Sequence, residues 1–88
     1  MKITHLHVGA IHGFSFDWDS DALYVRLSDE PYHHGKDLDA ERRVDFAADG
    51  TPIGVEITCL SAGVRLNDLP NRDEIGDILT RFTIPLTT

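Results

Sequence analysis

Apolar and polar residues alternate with a period of two through much of the chain, and near its end the period lengthens to that of a helix. Phe14, Phe16 and Trp18 fall on one side of an extended run, with Ser15 and Asp17 on the other. Asp19-Ser20-Asp21 supplies turn chemistry, because short polar side chains bond back to the backbone there. Leu23, Val25 and Leu27 then face one way, and Tyr24 and Arg26 the other. The two runs make a hairpin of three aromatics against three aliphatics. Ser28 to Asp39 reads as loop, interrupted by Pro31 and Gly35 and solvated by His33, His34, Lys36 and Asp37. A third strand follows at Arg42 to Ala47, with Val44 and Phe46 inward and Arg43 and Asp45 outward. Asp49-Gly50 predicts a tight turn, since glycine takes positive φ without steric cost. The fourth strand runs from Pro52 to Cys59, with Ile53, Val55, Ile57 and Cys59 inward and Gly54, Glu56 and Thr58 outward. Pro52 stands at its start, where a missing N–H does least harm.

Beyond the strands, Leu60 to Leu69 has room for one short helical turn around Ser61-Ala62-Gly63-Val64. Asn71 then reads as an N-cap, with Glu74 three residues on as in a capping box. Asp73 and Glu74 lie in the first turn, where the helix dipole favours negative charge. Ile75, Ile78, Leu79 and Phe82 form one helical stripe, and Thr83 and Pro85 end the helix. Ahead of all this, residues 1–13 alternate without a clean apolar face, and Gly9 and Gly13 punctuate them. They read as an N-terminal extension or an edge strand. The fold class is therefore α+β: an antiparallel β-meander of four to five strands, built from two hairpins, with one C-terminal amphipathic helix packed on one face. The sheet spans 14–59 and the helix 71–82, in a single domain over 1–88.

Composition narrows the classes of function. The chain has 88 residues, of which 41% are hydrophobic, enough for one core and not two. Fifteen acidic residues stand against eight basic ones, for a formal net charge of −7. That balance repels phosphate backbones and anionic membranes, so neither nucleic acid nor membrane is an expected partner. A lone cysteine, Cys59, forms no internal disulfide and no cysteine-based zinc site. With no apolar run of roughly 18 residues and no signal-peptide pattern, the expected location is cytoplasmic.

Two stretches carry a resemblance. Phe16-Asp17-Trp18-Asp19-Ser20-Asp21-Ala22-Leu23-Tyr24-Val25-Arg26-Leu27 resembles the opening of the small prokaryotic proteins called domain of unknown function 2283, or DUF2283. Their pattern reads roughly Tyr-Asp-x-x-x-Asp-Ala-Leu-Tyr-Ile-x-Leu. Asp45-Phe46-Ala47-Ala48-Asp49-Gly50-Thr51-Pro52-Ile53-Gly54-Val55-Glu56-Ile57 is similar to the family's second hairpin, with Asp-Gly at the turn and Gly-Ile-Glu-Ile in the returning strand. Phe16 departs from the usual tyrosine, Trp18 interrupts a stretch that is usually polar, and the helix at 71–82 matches no signature. The resemblance implies a fold, and it supplies no catalytic residue. Some relatives resemble one half of two-gene modules of the toxin–antitoxin kind.

The candidate chemistry is sparse. His5 and His7 share one face of a strand and His12 follows, so these three are the weak metal candidates, with His33 or His34 as a further ligand. The plainer account is solvated histidines on an edge strand and a loop. Asp17, Asp19 and Asp21 mimic the start of a calcium loop, but Ala22 and Ser28 occupy the positions that need glycine and a bidentate glutamate. A turn stabilised by aspartates explains them better. Tyr24, Arg26, Asp45 and Glu56 are expected together on the outward face, either as an acid–base site or as cross-strand pairing on a wet surface. Cys59 reads as a small buried hydrophobe, and Arg42-Arg43, set among acids, is no nucleic-acid patch. No catalytic residue and no cofactor are expected. The function expected is that of a small non-enzymatic interaction module, binding a protein partner or itself as a homodimer. The alternative is a histidine-based metal-binding protein or small metallohydrolase.

Overall fold

Period-two alternation buries one stripe on each of the three central strands, and these stripes decide how the sheet is built. The computed structural model describes residues 11–87. Its strands are β1 (Gly13–Asp17), β2 (Ala22–Arg26), β3 (His34–Asp37), β4 (Arg42–Phe46) and β5 (Pro52–Ile57), all antiparallel neighbours in one sheet of order β1-β2-β5-β4-β3. Leu23, Val25, Val44, Val55 and Ile57 are buried on one face of it. Register keeps the stripe continuous, with Leu23 opposite Ile57 and Val25 opposite Val55, which in turn faces Val44. The α+β class, the five-stranded antiparallel sheet and the C-terminal helix are as the sequence predicts. The order within the sheet is a finding: β3, β4 and β5 form a meander, and β5 then returns beside β2 to join the two parts.

The segment expected to be loop at 28–39 contains β3. His34, Lys36 and Asp37 are all exposed, so this edge strand has no apolar face and carries no periodic signal. Backbone pairing places it, with Lys36 opposite Val44, and Arg43 bonds Asp37 while His34 stacks on Phe46. The turn after β4 forms at Asp49-Gly50 as expected: Gly50 has φ 88° and the Asp49 carboxylate accepts the Thr51 N–H at 3.0 Å.

The helix α1 (Arg72–Arg81) lays Ile75, Ile78 and Leu79 on the sheet, each fully buried. Burying one such side chain contributes about 1.5–3 kcal/mol. The expected capping box does not form. Asn71 is left-handed at φ 53° and its side chain makes no capping bond, while its carbonyl accepts the Ile75 N–H at 3.0 Å. The C-terminus is better satisfied: Thr83, at φ 57°, donates to Thr80 and Ile84 donates to Leu79 at 2.9 Å. That is a Schellman motif with threonine where glycine is usual. The chain then pairs β6 (Val64–Arg65) with β7 (Leu86–Thr87) in parallel. A single 3₁₀ turn at Leu60–Ala62 occupies the place of the short helical turn expected there.

Arg42 occupies an inward position of β4, two residues before Val44, and is only 6% exposed. Its Nε donates to Asp39 Oδ2 at 2.9 Å, its Nη2 forms an ion pair with the same oxygen at 2.9 Å, and its Nη1 donates to the carbonyls of Arg65 and Asn67 at 3.0 and 2.6 Å. Asp39 also accepts the Arg42 N–H at 2.9 Å and Arg65 Nη2 at 2.8 Å. One buried cation thus ties the β3–β4 turn to the segment that carries the chain from the sheet to α1. Burial alone would raise the Asp39 pKa. The bonds from Arg42 and from the Glu41 N–H outweigh burial and hold it below the ordinary 3.8.

Two outcomes follow. Truncating Ile78 to alanine should cost about 2–5 kcal/mol in urea unfolding, and Arg42→Ala about 3–5 kcal/mol, because the latter strands polar groups the cation had satisfied. The folded pKa of Asp39 is depressed, so its stabilisation is complete above about pH 4 and is lost as pH falls through the folded value. Asp39→Asn should therefore lower the urea midpoint at pH 7 and shrink the difference between midpoints at pH 7 and pH 3.

Candidate functional site

Outward residues of the middle strands form a polar face opposite α1. Tyr24 on β2 leans across Gly54 of β5 and donates its hydroxyl to Asp45 Oδ2 on β4 at 3.2 Å. A Cβ on Gly54 would collide with the Tyr24 hydroxyl, so the glycine makes this crossing feasible. Arg43 does the same one strand over. Its guanidinium lies against Gly35 of β3 and donates to Asp45 Oδ1 at 3.2 Å, Asp37 Oδ1 at 3.2 Å and the Tyr32 hydroxyl at 3.1 Å. The result is a chain of bonds from Tyr24 through Asp45 and Arg43 to Asp37 and Tyr32. Of the expected outward cluster, Tyr24 and Asp45 meet. Glu56 lies between Tyr24 and Arg43 in the ladder, and Arg26 turns away to Asp29 at 3.9 Å. Arg43 is the member that the sequence reading left out.

The electrostatics of this face favour the protonated forms of its tyrosine and arginine. Burial, and then the charge of Asp45, raise the Tyr24 pKa above 10.0, away from a reactive phenolate at neutral pH. Hydrogen bonds to Tyr32, Asp37 and Asp45 hold Arg43 more firmly protonated. Ser15, Phe16, Asp17, Leu23, Tyr24 and Glu56 line a hollow here that stays open to solvent, so no wall excludes water. The arrangement can offer hydrogen bonds and fixed charge.

The opposite side of β1 is apolar. Phe16 and Trp18 stack with centroids 4.2 Å apart and planes 7° from parallel, and Phe82 from the end of α1 meets Phe16 at 4.7 Å. Phe14 packs edge-on to Phe16 and to Phe82, each at 6.0 Å. Trp18, expected inward, is 58% exposed. It lies just past the end of β1, on the side of the sheet that Phe16 faces but beyond the cover of α1. The sequence reading found the aromatic run and missed that its end projects into water.

Residues 14–61 match the profile of a family described as "Protein of unknown function (DUF2283)". The chain belongs to the DUF2283 family. No curated protein and no solved structure matches it. The DUF2283 match runs from Phe14 in β1 to Ser61 in the 3₁₀ turn, so it takes in all of the five-stranded sheet but Gly13, together with Trp18. The helix, and with it Phe82, lies outside it.

Other candidates fall as follows. His5 and His7 lie outside the described residues. His12 Nδ1 sits 3.2 Å from Asp29 Oδ2. His33 and His34 touch through their Nδ1 atoms at 2.9 Å, and His34 stacks on Phe46. Among the described residues no three histidine, cysteine or carboxylate side chains group as a metal site would require. Cys59, expected to be buried, is exposed: the chain leaves the strand after Ile57, and Cys59 adopts φ 56° ahead of the 3₁₀ turn. The aspartates serve the turn, as expected. Asp17 Oδ1 accepts the Ser20 N–H at 3.3 Å. The Asp21 carboxylate accepts the Ser61 N–H at 3.0 Å and its hydroxyl at 2.6 Å, a long-range clasp no local pattern could reveal.

The Tyr24 environment is measurable. In a Tyr32→Phe background, absorbance titration of Tyr24 should give a midpoint above 10.0, and adding Asp45→Asn should bring it down. A raised folded pKa means Tyr24 stabilises the fold below pH 10 and ceases to do so as pH climbs through the folded value.

Proposed function

We propose that this domain works by contact with a protein chain rather than by chemistry. One observation carries the reading: the exposed indole of Trp18, stacked on Phe16 and backed by Phe82, stands at the edge of the sheet. Large aromatics anchored on a rigid support and open to water are the residues that dominate protein interfaces, since they bury much area at little cost in side-chain entropy. The polar face supports the same reading from the other side. Burial and Asp45 raise the Tyr24 pKa, hydrogen bonds raise that of Arg43, and the hollow is open.

Photo-crosslinking tests this. A benzoyl-phenylalanine at position 18, introduced in the cells that make the protein, should yield a protein adduct absent when the same group replaces exposed Thr80. No adduct at position 18 beyond that of the Thr80 control would sink the reading.

A further inference from the structure

The two edges of the sheet differ. Edge β3 is short and carries His34, Lys36 and Asp37, charged and polar groups that discourage pairing with another chain. Edge β1 reads Gly13-Phe14-Ser15-Phe16-Asp17, with a single charge at its end. Hydrogen bonding across β2 shows which β1 groups face outward. The Leu27 N–H bonds the Ile53 carbonyl at 2.8 Å, so odd-numbered residues of β2 bond toward β5 and even-numbered ones toward β1. Through the register Gly13↔Arg26, Ser15↔Tyr24 and Asp17↔Ala22, the bonded residues of β1 are 13, 15 and 17. The N–H and C=O of Phe14 and Phe16 therefore point away from the sheet, and among the described residues nothing bonds them.

We infer that β1 pairs antiparallel with β1 of a second copy of this chain, about a two-fold axis through Ser15. The inference rests on the contact function proposed above and names its partner. In this register Phe14 stands opposite the partner's Phe16 on both sides of the axis, and each such pair exchanges two ladder bonds. Every outward backbone group of the two phenylalanines is satisfied. Shifting the axis to Phe16 would ask Trp18 to bond, but its carbonyl already accepts the Asp21 N–H at 3.3 Å. Shifting it to Asp17 would set two carboxylates directly opposite each other, which is destabilising. About Ser15, each Asp17 faces a glycine and each Ser15 a serine, so two chains of net charge −7 meet without a like-charge pair. The axis is perpendicular to the sheet, so the Phe14, Phe16, Trp18 and Phe82 clusters of both copies come together on the same side.

Position 15 provides the test, because its side chain is exposed and lies off the core. Residues opposite each other across a non-bonded antiparallel pair have Cα atoms about 4.5 Å apart, within disulfide reach. In the full chain with Cys59→Ser, the Ser15→Cys variant should oxidise to a covalent dimer in high yield, and Thr80→Cys in the same background should not. Sedimentation equilibrium should show a dimer that tightens as salt rises from about 50 to 500 mM, since screening weakens the repulsion between acidic copies. Ser15→Glu and Ser15→Lys should each weaken self-association about tenfold, and an equimolar mixture should recover it, a rescue that misfolding could not mimic. A strict monomer at a few hundred micromolar in both salts would overturn the inference, as would a dimer that Ser15→Cys fails to cross-link. A monomer that still gives an adduct of foreign mass at position 18 refutes self-pairing and leaves the contact function standing. A monomer with no adduct refutes both.

Discussion

The structure depends on one buried layer, in which the stripes of β2, β5 and β4 meet Ile75, Ile78 and Leu79 of α1. Val25, Val55 and the three helix residues have no measurable exposure. A five-stranded sheet with one face covered gains its cohesion from that contact, because no disulfide or internal metal ligand set assists it among the described residues. The rest of the molecule can be understood by what it does to keep that layer closed. Arg42 fixes the segment that carries the chain from the sheet to the helix. Asp21 and Ser61 join the first hairpin to the turn that starts that segment.

How much of this was legible in the residues themselves depended on which signals were local. The hairpin at residues 14–27 and the returning strand at 52–57 follow from alternation, and the helix follows from the spacing of Ile75, Ile78 and Leu79. The edge strand β3 was illegible because both its faces are wet, leaving nothing periodic to detect. Arg42 was legible in part: it stands two residues before Val44 on the inward stripe, and a charged residue there demands a buried partner. Asp39, three residues earlier, is a local partner, but no local pattern reveals the Arg65 and Asn67 carbonyls, which lie more than twenty residues away. The failed cap at Asn71 and the exposure of Cys59 have a shared cause. Both residues adopt positive φ, so each redirects the chain where a regular continuation was expected.

The candidate site divides along the same line. Tyr24 and Asp45 were placed together by strand parity, whereas Arg43 joined them because Gly35 leaves space for a guanidinium. Gly35 and Gly54 act alike: each removes a side chain so that a long neighbour can lie flat across the strand. Such flattening gives this face fixed hydrogen bonds and little depth, and it shifts attention to the opposite side, where Trp18 stands clear of the fold.

The pairing of β6 with β7 has a mechanical consequence. Val64 lies at the approach to α1 and Leu86 at its exit, and the Val64 N–H bonds the Pro85 carbonyl at 2.9 Å. The helix is therefore stapled to itself across its two flanks, in a closed loop of chain. The clasp makes the helix and its flanks one unit, which the buried layer and the Arg42 bonds to the Arg65 and Asn67 carbonyls hold against the sheet. Opening the apolar layer would therefore move this whole unit at once, losing the Arg42 bonds together with the burial of Ile75, Ile78 and Leu79.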